Sequence, residues 1–444
     1  MTDKPAPANA IVFIFITVLI NMIGFGIIVP VMPTLIMDIT GEDLSHAAKW
    51  GGILSLVYAM MQFLAMPVMG ALSDRFGRRP VILGSLAAYS ADFFVMAVAP
   101  SIGILLVSRL LAGAFAATFS TANAFIADIT PPEKRAANFG LMGAAFGLGF
   151  IIGPGLGGVI AEAATKMMDP HFGARAPFYV VAALGLANLV YGSLLLPESL
   201  AKGNRRRFEW KRANAFGTFM HLTHYPALAP IALTIFFAQL AQWTMPSVWA
   251  YFAEERFKWS PSDIGYSLML VGLTAALVQG GLARLVIPRI GERKSAFIGV
   301  TIAMIAYLAY GLATKGWMIY AIIPFGALAG FAQPSLQGIM SRTIPANAQG
   351  ELQGAVGSIA GFSMIIGPYL MTQVFAAFIK PGVPFYIGKF LLLPHGAPFY
   401  FAGAPFIVSA ILTFFALLAL TSAVKRIKRP RASAGPAAAE AEAA

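Results

Sequence analysis

Two ionisable residues stand deep inside long apolar stretches of this sequence. Asp92 lies eight residues before Pro100, and Arg109 lies nine residues after it. If both stretches are helices that rise about 1.5 Å per residue, the two side chains lie at a similar depth on adjacent helices and could pair. An isolated charge at that depth is costly, so such residues are functional candidates. Two interpretations remain open: an acid that responds to protonation, or a permanent ion pair that joins two helices.

A second group of charges forms a short turn between two apolar runs, over residues 70–80. The residues of interest there are Gly70, Asp74, Arg75, Gly77, Arg78 and Arg79. Asp74 could accept from backbone N–H groups at the start of a neighbouring helix, and Arg78 could bridge to Asp128. We expect this cluster to act as a gate that latches two parts of the protein together. The alternative is a basic loop that only sets membrane orientation.

The elements that must position these residues are membrane-spanning helices. The chain has 444 residues, of which 58% are hydrophobic and 11% are charged. A helix crosses a bilayer with about 20 apolar residues, and a helix satisfies its own backbone hydrogen bonds in lipid. We therefore predict an all-α integral membrane protein. Its twelve spans lie at about 10–36, 50–72, 80–99, 102–126, 137–161, 176–196, 227–252, 262–286, 295–313, 317–340, 351–378 and 398–424.

The net charge of +12 indicates a membrane topology and no nucleic-acid partner. Most Lys and Arg residues fall in alternate loops, which is typical of the cytoplasmic side of a plasma or bacterial inner membrane. This pattern predicts that both termini are cytoplasmic. We predict a six-helix bundle at 1–196, a cytoplasmic linker at 197–225, a second six-helix bundle at 226–425 and a disordered tail at 426–444.

The two predicted bundles are related by an internal repeat with a constant offset of 214 residues. Arg75, Gly77 and Arg79 correspond to Arg289, Gly291 and Arg293. A longer match pairs Pro131, Gly140, Gly143, Gly147, Ile151, Ile152, Gly153 and Pro154 with Pro345, Gly354, Gly357, Gly361, Ile365, Ile366, Gly367 and Pro368. Because six spans are an even number, the two copies have the same orientation in the membrane. Such parallel repeats are typical of rocking transporters with a central cavity.

Small residues mark one face of the fifth predicted span. Gly149, Gly153 and Gly157 follow one another at four-residue spacing, and Pro154 and Gly158 lie beside them. Small residues on one helix face allow close approach of a neighbouring helix, and a proline allows a bend. We predict close packing of this span.

Uncharged polar and aromatic residues inside the spans are candidates for a substrate cavity. They are Asn21, Tyr58, Gln62, Asn123, Gln239, Gln242, Trp243, Gln333 and Gln337. Such residues could contact an amphipathic molecule, and some of them could instead join helices by hydrogen bonds.

The chemistry of an enzyme is not indicated. All five histidines fall in predicted loops or at span ends, and the sequence has no cysteine and no phosphate-binding Walker loop. We therefore expect no metal, no cofactor and no catalytic residue. We also expect the protein to function as a monomer in the lipid bilayer.

These motifs resemble those of the major facilitator superfamily, and within it the drug/proton antiporters of the tetracycline-efflux type. The turn at 70–79 is similar to the loop 2–3 motif, Arg109 with Gly113 to the span-4 arginine motif, and 149–158 to the span-5 motif of exporters. The segments 24–33, 252–259 and 337–342 resemble the tetracycline type. The resemblance implies export of a drug-like molecule in exchange for protons, powered by the proton gradient.

The sequence departs from that family at two acidic positions. Members that exchange a metal–tetracycline complex for protons resemble one another in having acids in spans 1, 3 and 9. Here Asn21 occupies the span-1 position, span 9 contains no acid, and Asp92 remains in span 3. A solute–proton symporter of the same fold, or a receptor or scaffold that transports nothing, are the alternatives.

Overall fold

Within the residues that the structure describes, twelve helices are long and apolar enough to cross a membrane, which confirms the predicted number. The computed structural model describes residues 8–116, 118–206, 229–343, 349–387, 390–393 and 395–428. The predicted linker beyond Arg206 and the predicted tail beyond Lys428 lie outside the described residues, as does Pro345 of the repeat. Most spans are longer than predicted, because their polar ends continue the helix beyond the apolar run.

Each bundle has six spans in chain order. The first six are span 1 at Ala8–Thr40, span 2 at Leu44–Phe76, span 3 at Arg78–Val98, span 4 at Ile102–Ala114 and Thr118–Ile129, span 5 at Pro132–Met167 and span 6 at Pro170–Leu195. The last six are span 7 at Ala229–Gln242 and Thr244–Phe257, span 8 at Pro261–Leu277 and Ala283–Ile290, span 9 at Glu292–Leu312, span 10 at Gly316–Ala327 and Ala332–Thr343, span 11 at Gln349–Ile379 and span 12 at Ala404–Lys428.

Four spans contain breaks that the hydropathy pattern does not predict. Span 4 is interrupted after Ala114 and span 7 at Trp243, whereas spans 8 and 10 contain a π turn at Val278–Leu282 and a 3₁₀ turn at Leu328–Phe331. Irregular backbone at membrane depth is tolerated where it lines a cavity or is buried in protein. The breaks in spans 4 and 7 lie at the cavity described below.

Spans 2 and 8 end in the same way, as the repeat predicts. Gly77 ends span 2 with φ 109°, and Gly291 ends span 8 with φ 82°. A side chain strongly disfavours positive φ, so glycine is required for a turn this abrupt. The next span begins at the following residue in both bundles, which confirms that the two copies share one local structure.

Within the described residues, all hydrogen bonds between the two bundles lie on one side of the protein. We call the side on which span 1 begins the termini side and the opposite side the far side. On the far side, span 2 packs on span 11 and span 8 packs on span 5, which are equivalent pairs in the repeat. The hydrogen bonds there run from Ser45 Oγ to Ala376 O (3.0 Å), from Lys380 Nζ to Asp43 Oδ2 (2.7 Å), from Gln373 Nε2 to Lys49 O (3.2 Å) and from Ser260 Oγ to Glu162 Oε2 (3.3 Å).

A short hairpin is the exception to the all-helical pattern. Phe385–Ile387 pairs antiparallel with Phe390–Leu393 between spans 11 and 12, on the far side. Its strands are short apolar runs, so they do not stand out from the flanking spans in the sequence.

Candidate functional site

Asp92 and Arg109 form a buried ion pair between spans 3 and 4. Each residue is 7% exposed, and an Arg109 Nη atom donates to the Asp92 carboxylate. Ser108 Oγ donates to the second oxygen of Asp92, so both carboxylate oxygens have partners. The guanidinium carbon of Arg109 also lies 5.7 Å from the centroid of the Tyr58 ring. The two residues therefore lie in contact at a similar depth, as their spacing around Pro100 predicts.

The pair lies on the wall of a cavity between the two bundles. The cavity has a volume of about 230 Å³ and is lined by residues of spans 1 to 4 in the first bundle and of spans 7 and 11 in the second. It ends toward the far side at Gly51 and Tyr251 and extends toward the termini side to Val18 and Phe119. Both bundles thus contribute to one binding space, as expected for a parallel repeat.

Four of the nine cavity candidates line this space: Asn21, Tyr58, Gln62 and Trp243. The other five, Asn123, Gln239, Gln242, Gln333 and Gln337, are not among its lining residues. Hydropathy places all nine inside spans, but the direction of each side chain depends on how the helices pack.

Several cavity residues escaped the sequence analysis. Tyr89 and Tyr251 line the cavity, together with Met32 and Phe119. Tyr89 precedes Asp92 by three residues, so its position on the same helix face could have been inferred. Tyr251 has no comparable signal, because span 7 is interrupted at Trp243 and regular helix spacing does not connect Trp243 with Tyr251.

The charged turn forms a compact cluster on the termini side. Arg78 Nε donates to Asp128 Oδ2 at 3.0 Å, and Arg78 Nη1 donates to Asp74 Oδ1 at 2.6 Å and to Ser73 Oγ at 3.0 Å. All of these residues belong to the first bundle. In this arrangement Asp74 pairs with Arg78, and the neighbouring Arg75 lies over the ring of Phe76 at 5.1 Å.

Glu198 is a member of the cluster that the sequence analysis missed. Its carboxylate accepts from the backbone N–H groups of Arg78 at 2.8 Å and Arg79 at 3.3 Å. It therefore caps span 3 from the segment after span 6, where Gly77 carries no capping side chain. Arg79 Nη2 also donates to Ser193 O at 2.7 Å. The sequence signal for Glu198 is its position directly after span 6, which ends on the same side of the membrane as the charged turn.

Span 5 uses its small residues to contact both bundles. A Cβ atom on Gly153 would lie 2.5 Å from Ile23 O, and one on Gly157 would lie 2.9 Å from Ile27 O, so this face packs on span 1. Gly149 packs on the same span at Met22 and Leu19. Gly158 lies against Pro261 of span 8, whereas Pro154 contacts Gly26 of span 1 through its ring and Gly265 of span 8 through its carbonyl oxygen. The glycine motif therefore brings the first bundle against the second.

Within the described part of the chain, no group of three or more His, Cys, Asp or Glu side chains could hold a metal ion. The arrangement provides a binding space, a buried ion pair and hydrogen bonds between the bundles. These are the parts of a solute carrier.

Twelve helices in two equivalent bundles around a shared cavity define the class of secondary transporters that work by alternating access. The profile of the Major Facilitator Superfamily matches residues 14–368, and the chain belongs to this family. It is a transporter rather than an enzyme, and a multi-pass protein of the inner membrane.

The curated relatives agree with this family. The chain is 38% identical over 369 residues to the tetracycline resistance protein, class C, of Escherichia coli, covering 83% of this chain and 90% of the relative. It is 34% identical over 371 residues to the class E protein of Escherichia coli, covering 83% and 88%. These relatives support a drug–proton antiporter and do not favour an importer.

A solved structure shares the fold. A bacterial homologue of the human lysosomal transporter Spinster, in an inward-facing and unoccupied conformation, has a TM-score of 0.72 and 16% identity, covering 94% of this chain and 97% of that one.

Proposed function

We propose that this protein exports a small, amphipathic, drug-like molecule in exchange for protons. The cavity shared by the two bundles is the observation that supports this proposal most directly. It lies on the termini side of the inter-bundle hydrogen bonds, so a molecule can enter from that side while the far side is joined. If the termini are cytoplasmic, as the charge pattern predicts, this is the loading state of an exporter.

Export then requires the bundles to rock. The far-side contacts between spans 2 and 11 and between spans 5 and 8 break, and contacts on the termini side form. The cluster of Asp74, Arg78 and Asp128 lies at the termini-side end of span 2, where a closing second bundle would meet it. We propose that it latches that side when the cavity faces outward.

We assign the coupling of transport to protons to the ion pair of Asp92 and Arg109. The acid lines the cavity, so protons can reach it when the cavity is hydrated. Protonation of Asp92 would remove the charge that holds Arg109 and would free that guanidinium. The proton gradient then serves as the energy source without a cofactor. The cavity lies within one chain, which supports a functional monomer.

Flux in reconstituted vesicles tests this function. A pH gradient imposed on inverted vesicles should drive uptake of an amphipathic aromatic drug probe, and a pump-deficient host should gain resistance to members of a compound panel that includes tetracycline. Asp92→Asn should abolish the gradient-driven component. Asp169→Asn is the matched control, because this acid caps span 6 at the far side and asparagine caps equally well. Proton-driven flux that is unchanged in Asp92→Asn, or flux in the opposite direction, would refute the proposal.

A further inference from the structure

Four buried polar atoms of cavity-lining residues lack a hydrogen-bond partner in the described part of the chain. They are the Tyr251 hydroxyl, Gln62 Oε1, Ser85 Oγ and Arg109 Nε. Tyr251 is 4% exposed and Ser85 is 2% exposed. A buried polar group without a partner costs about 1–3 kcal/mol, so a bound molecule that reaches one of these atoms supplies a missing hydrogen bond. Together they provide two hydroxyls that can donate or accept, one amide acceptor and one guanidinium N–H donor.

The cavity is electrically neutral. Among the described residues, Asp92 and Arg109 are its only charged lining residues, and each is the other's partner. The amide of Asn21, which lines the cavity in span 1, donates to Thr17 O at 2.8 Å and contributes no charge. A cation that entered would lose its hydration without meeting an unpaired carboxylate, which is unfavourable in a site of low polarity.

The remaining wall is largely aromatic. Phe25, Tyr89, Trp243 and Tyr251 surround the space with flat rings. Aromatic faces stack on planar ligands, and they also attract cations. Here the Tyr58 ring already faces the Arg109 guanidinium, whose charge repels a second cation. The wall therefore favours a flat, uncharged ligand.

We infer that this cavity selects uncharged aromatic molecules with a hydrogen-bond acceptor for Tyr251, and that it discriminates against cations, including cationic metal chelates. This inference rests on the proposed function and specifies its substrate class. Tyr251 and Asn21 are its specificity-determining residues.

Binding to the purified protein tests the inference separately from transport. Phenanthridine and N-methylphenanthridinium have the same ring system, but only the second is a permanent cation. Their binding can be followed at neutral pH by calorimetry, or by quenching of tryptophan fluorescence, to which Trp243 at the cavity contributes. We expect phenanthridine to bind at least tenfold more tightly than N-methylphenanthridinium.

Two variants test whether Tyr251 and Asn21 cause the preference for phenanthridine over the cation. Tyr251→Phe removes the donor to the phenanthridine nitrogen and should weaken its binding about three- to tenfold, as expected for one hydrogen bond. Tyr310→Phe is the matched control, a buried tyrosine outside the cavity, and should leave binding unchanged. Asn21→Asp places an unpaired acid on the cavity wall and should reverse the preference toward the cation. Asn123→Asp, outside the cavity lining, should not.

Equal or tighter binding of N-methylphenanthridinium to the wild-type protein would overturn the inference, as would binding of neither probe. A Tyr251→Phe effect no larger than that of Tyr310→Phe would overturn the role of Tyr251. If phenanthridine binds as expected but no proton-driven flux of any drug is found in vesicles, the proposed function fails while the selectivity of the cavity stands.

Discussion

Arg342 Nη2 lies 3.0 Å from Glu292 Oε1 at the termini side of the second bundle. The 214-residue repeat pairs these residues with Asp128 and Arg78, whose side chains are also 3.0 Å apart. The ion pair is thus present in both bundles with its charges exchanged between the two helices. Both residues of the pair differ in type between the two copies, although the interaction is the same. A comparison of residue types alone would therefore not detect this correspondence.

The two copies of this pair should differ in their contribution to stability. Arg342→Ala should cost less than about 1 kcal/mol, because the Arg342 side chain is 79% exposed and surface pairs contribute little. Arg78→Ala should cost about 2–3 kcal/mol, because Arg78 is 11% exposed and its loss leaves Asp74 and Asp128 without their partner. Thermal unfolding in one detergent compares the two variants directly. Equal losses would show that burial of the first copy has no energetic consequence.

Asp92→Asn should destabilise the protein by about 3–5 kcal/mol, because it leaves the buried Arg109 charge without a partner. The double variant Asp92→Asn with Arg109→Gln removes both charges and should regain most of this loss. If the pair only pins spans 3 and 4 together, the double variant will also regain proton-driven transport. If the pair couples transport to protons, the double variant will be stable but uncoupled, which measurements of unfolding and of flux on the same sample can separate.

Cross-linking the far side should stop transport. The sequence has no cysteine, so Ser45→Cys with Ala376→Cys gives two unique thiols at a contact between the bundles. A short reducible cross-linker should abolish flux, and reduction should restore it, because rocking requires these residues to separate. Ser45→Cys alone, treated in the same way, is the control. Full activity of the cross-linked protein would mean that the far side does not open.

The Asp43–Lys380 contact should not produce a pH dependence in the physiological range. The hydrogen bond from Lys380 lowers the pKa of Asp43 well below its usual value, although burial opposes this in part. A lowered pKa means that the contact stabilises the joined far side above the pKa of a free aspartate, about 3.9, and loses this effect only as the pH falls toward the lowered value. Because His46 Nδ1 also lies 2.9 Å from Asp43 Oδ1, the comparison is made in a His46→Gln background, where Asp43→Asn should change the transport rate by the same factor at pH 5.5 and at pH 8.

Gly153→Ala should disrupt the contact between spans 1 and 5. The added methyl group would lie 2.5 Å from Ile23 O, so one helix must shift, at a cost of about 1–3 kcal/mol. Gly147→Ala is the matched control in the same helix, because no atom lies within 4 Å of its added methyl group. Comparable unfolding temperatures for the two variants would contradict this packing.

Most of the architecture could be predicted from local patterns. The length of the apolar runs predicts twelve spans, and the repeat around Gly77 and Gly291 predicts two equivalent bundles. The distances of Asp92 and Arg109 from Pro100 predict their pairing. These features depend on hydropathy, helical rise and backbone conformation, which are properties of neighbouring residues along the chain.

The site is only partly predictable, because it depends on residues that are distant in sequence. Arg175 lies just outside the predicted span at 176–196, but in the fold it is 8% exposed and pairs with Asp38 at 3.1 Å. Glu198 caps span 3 from 120 residues away. Tyr251 reaches the cavity only because span 7 packs beside span 2 at Gly51.

The sequence by itself thus determined the number of spans, the duplication and the depth of the buried charges. The tertiary structure decided which polar residues face the cavity, on which side the bundles are joined and how the second copy of the charge pair is arranged. The physical reason is that hydropathy places a residue at a depth in the membrane, whereas its direction follows from the packing of helices that the chain brings together across hundreds of residues.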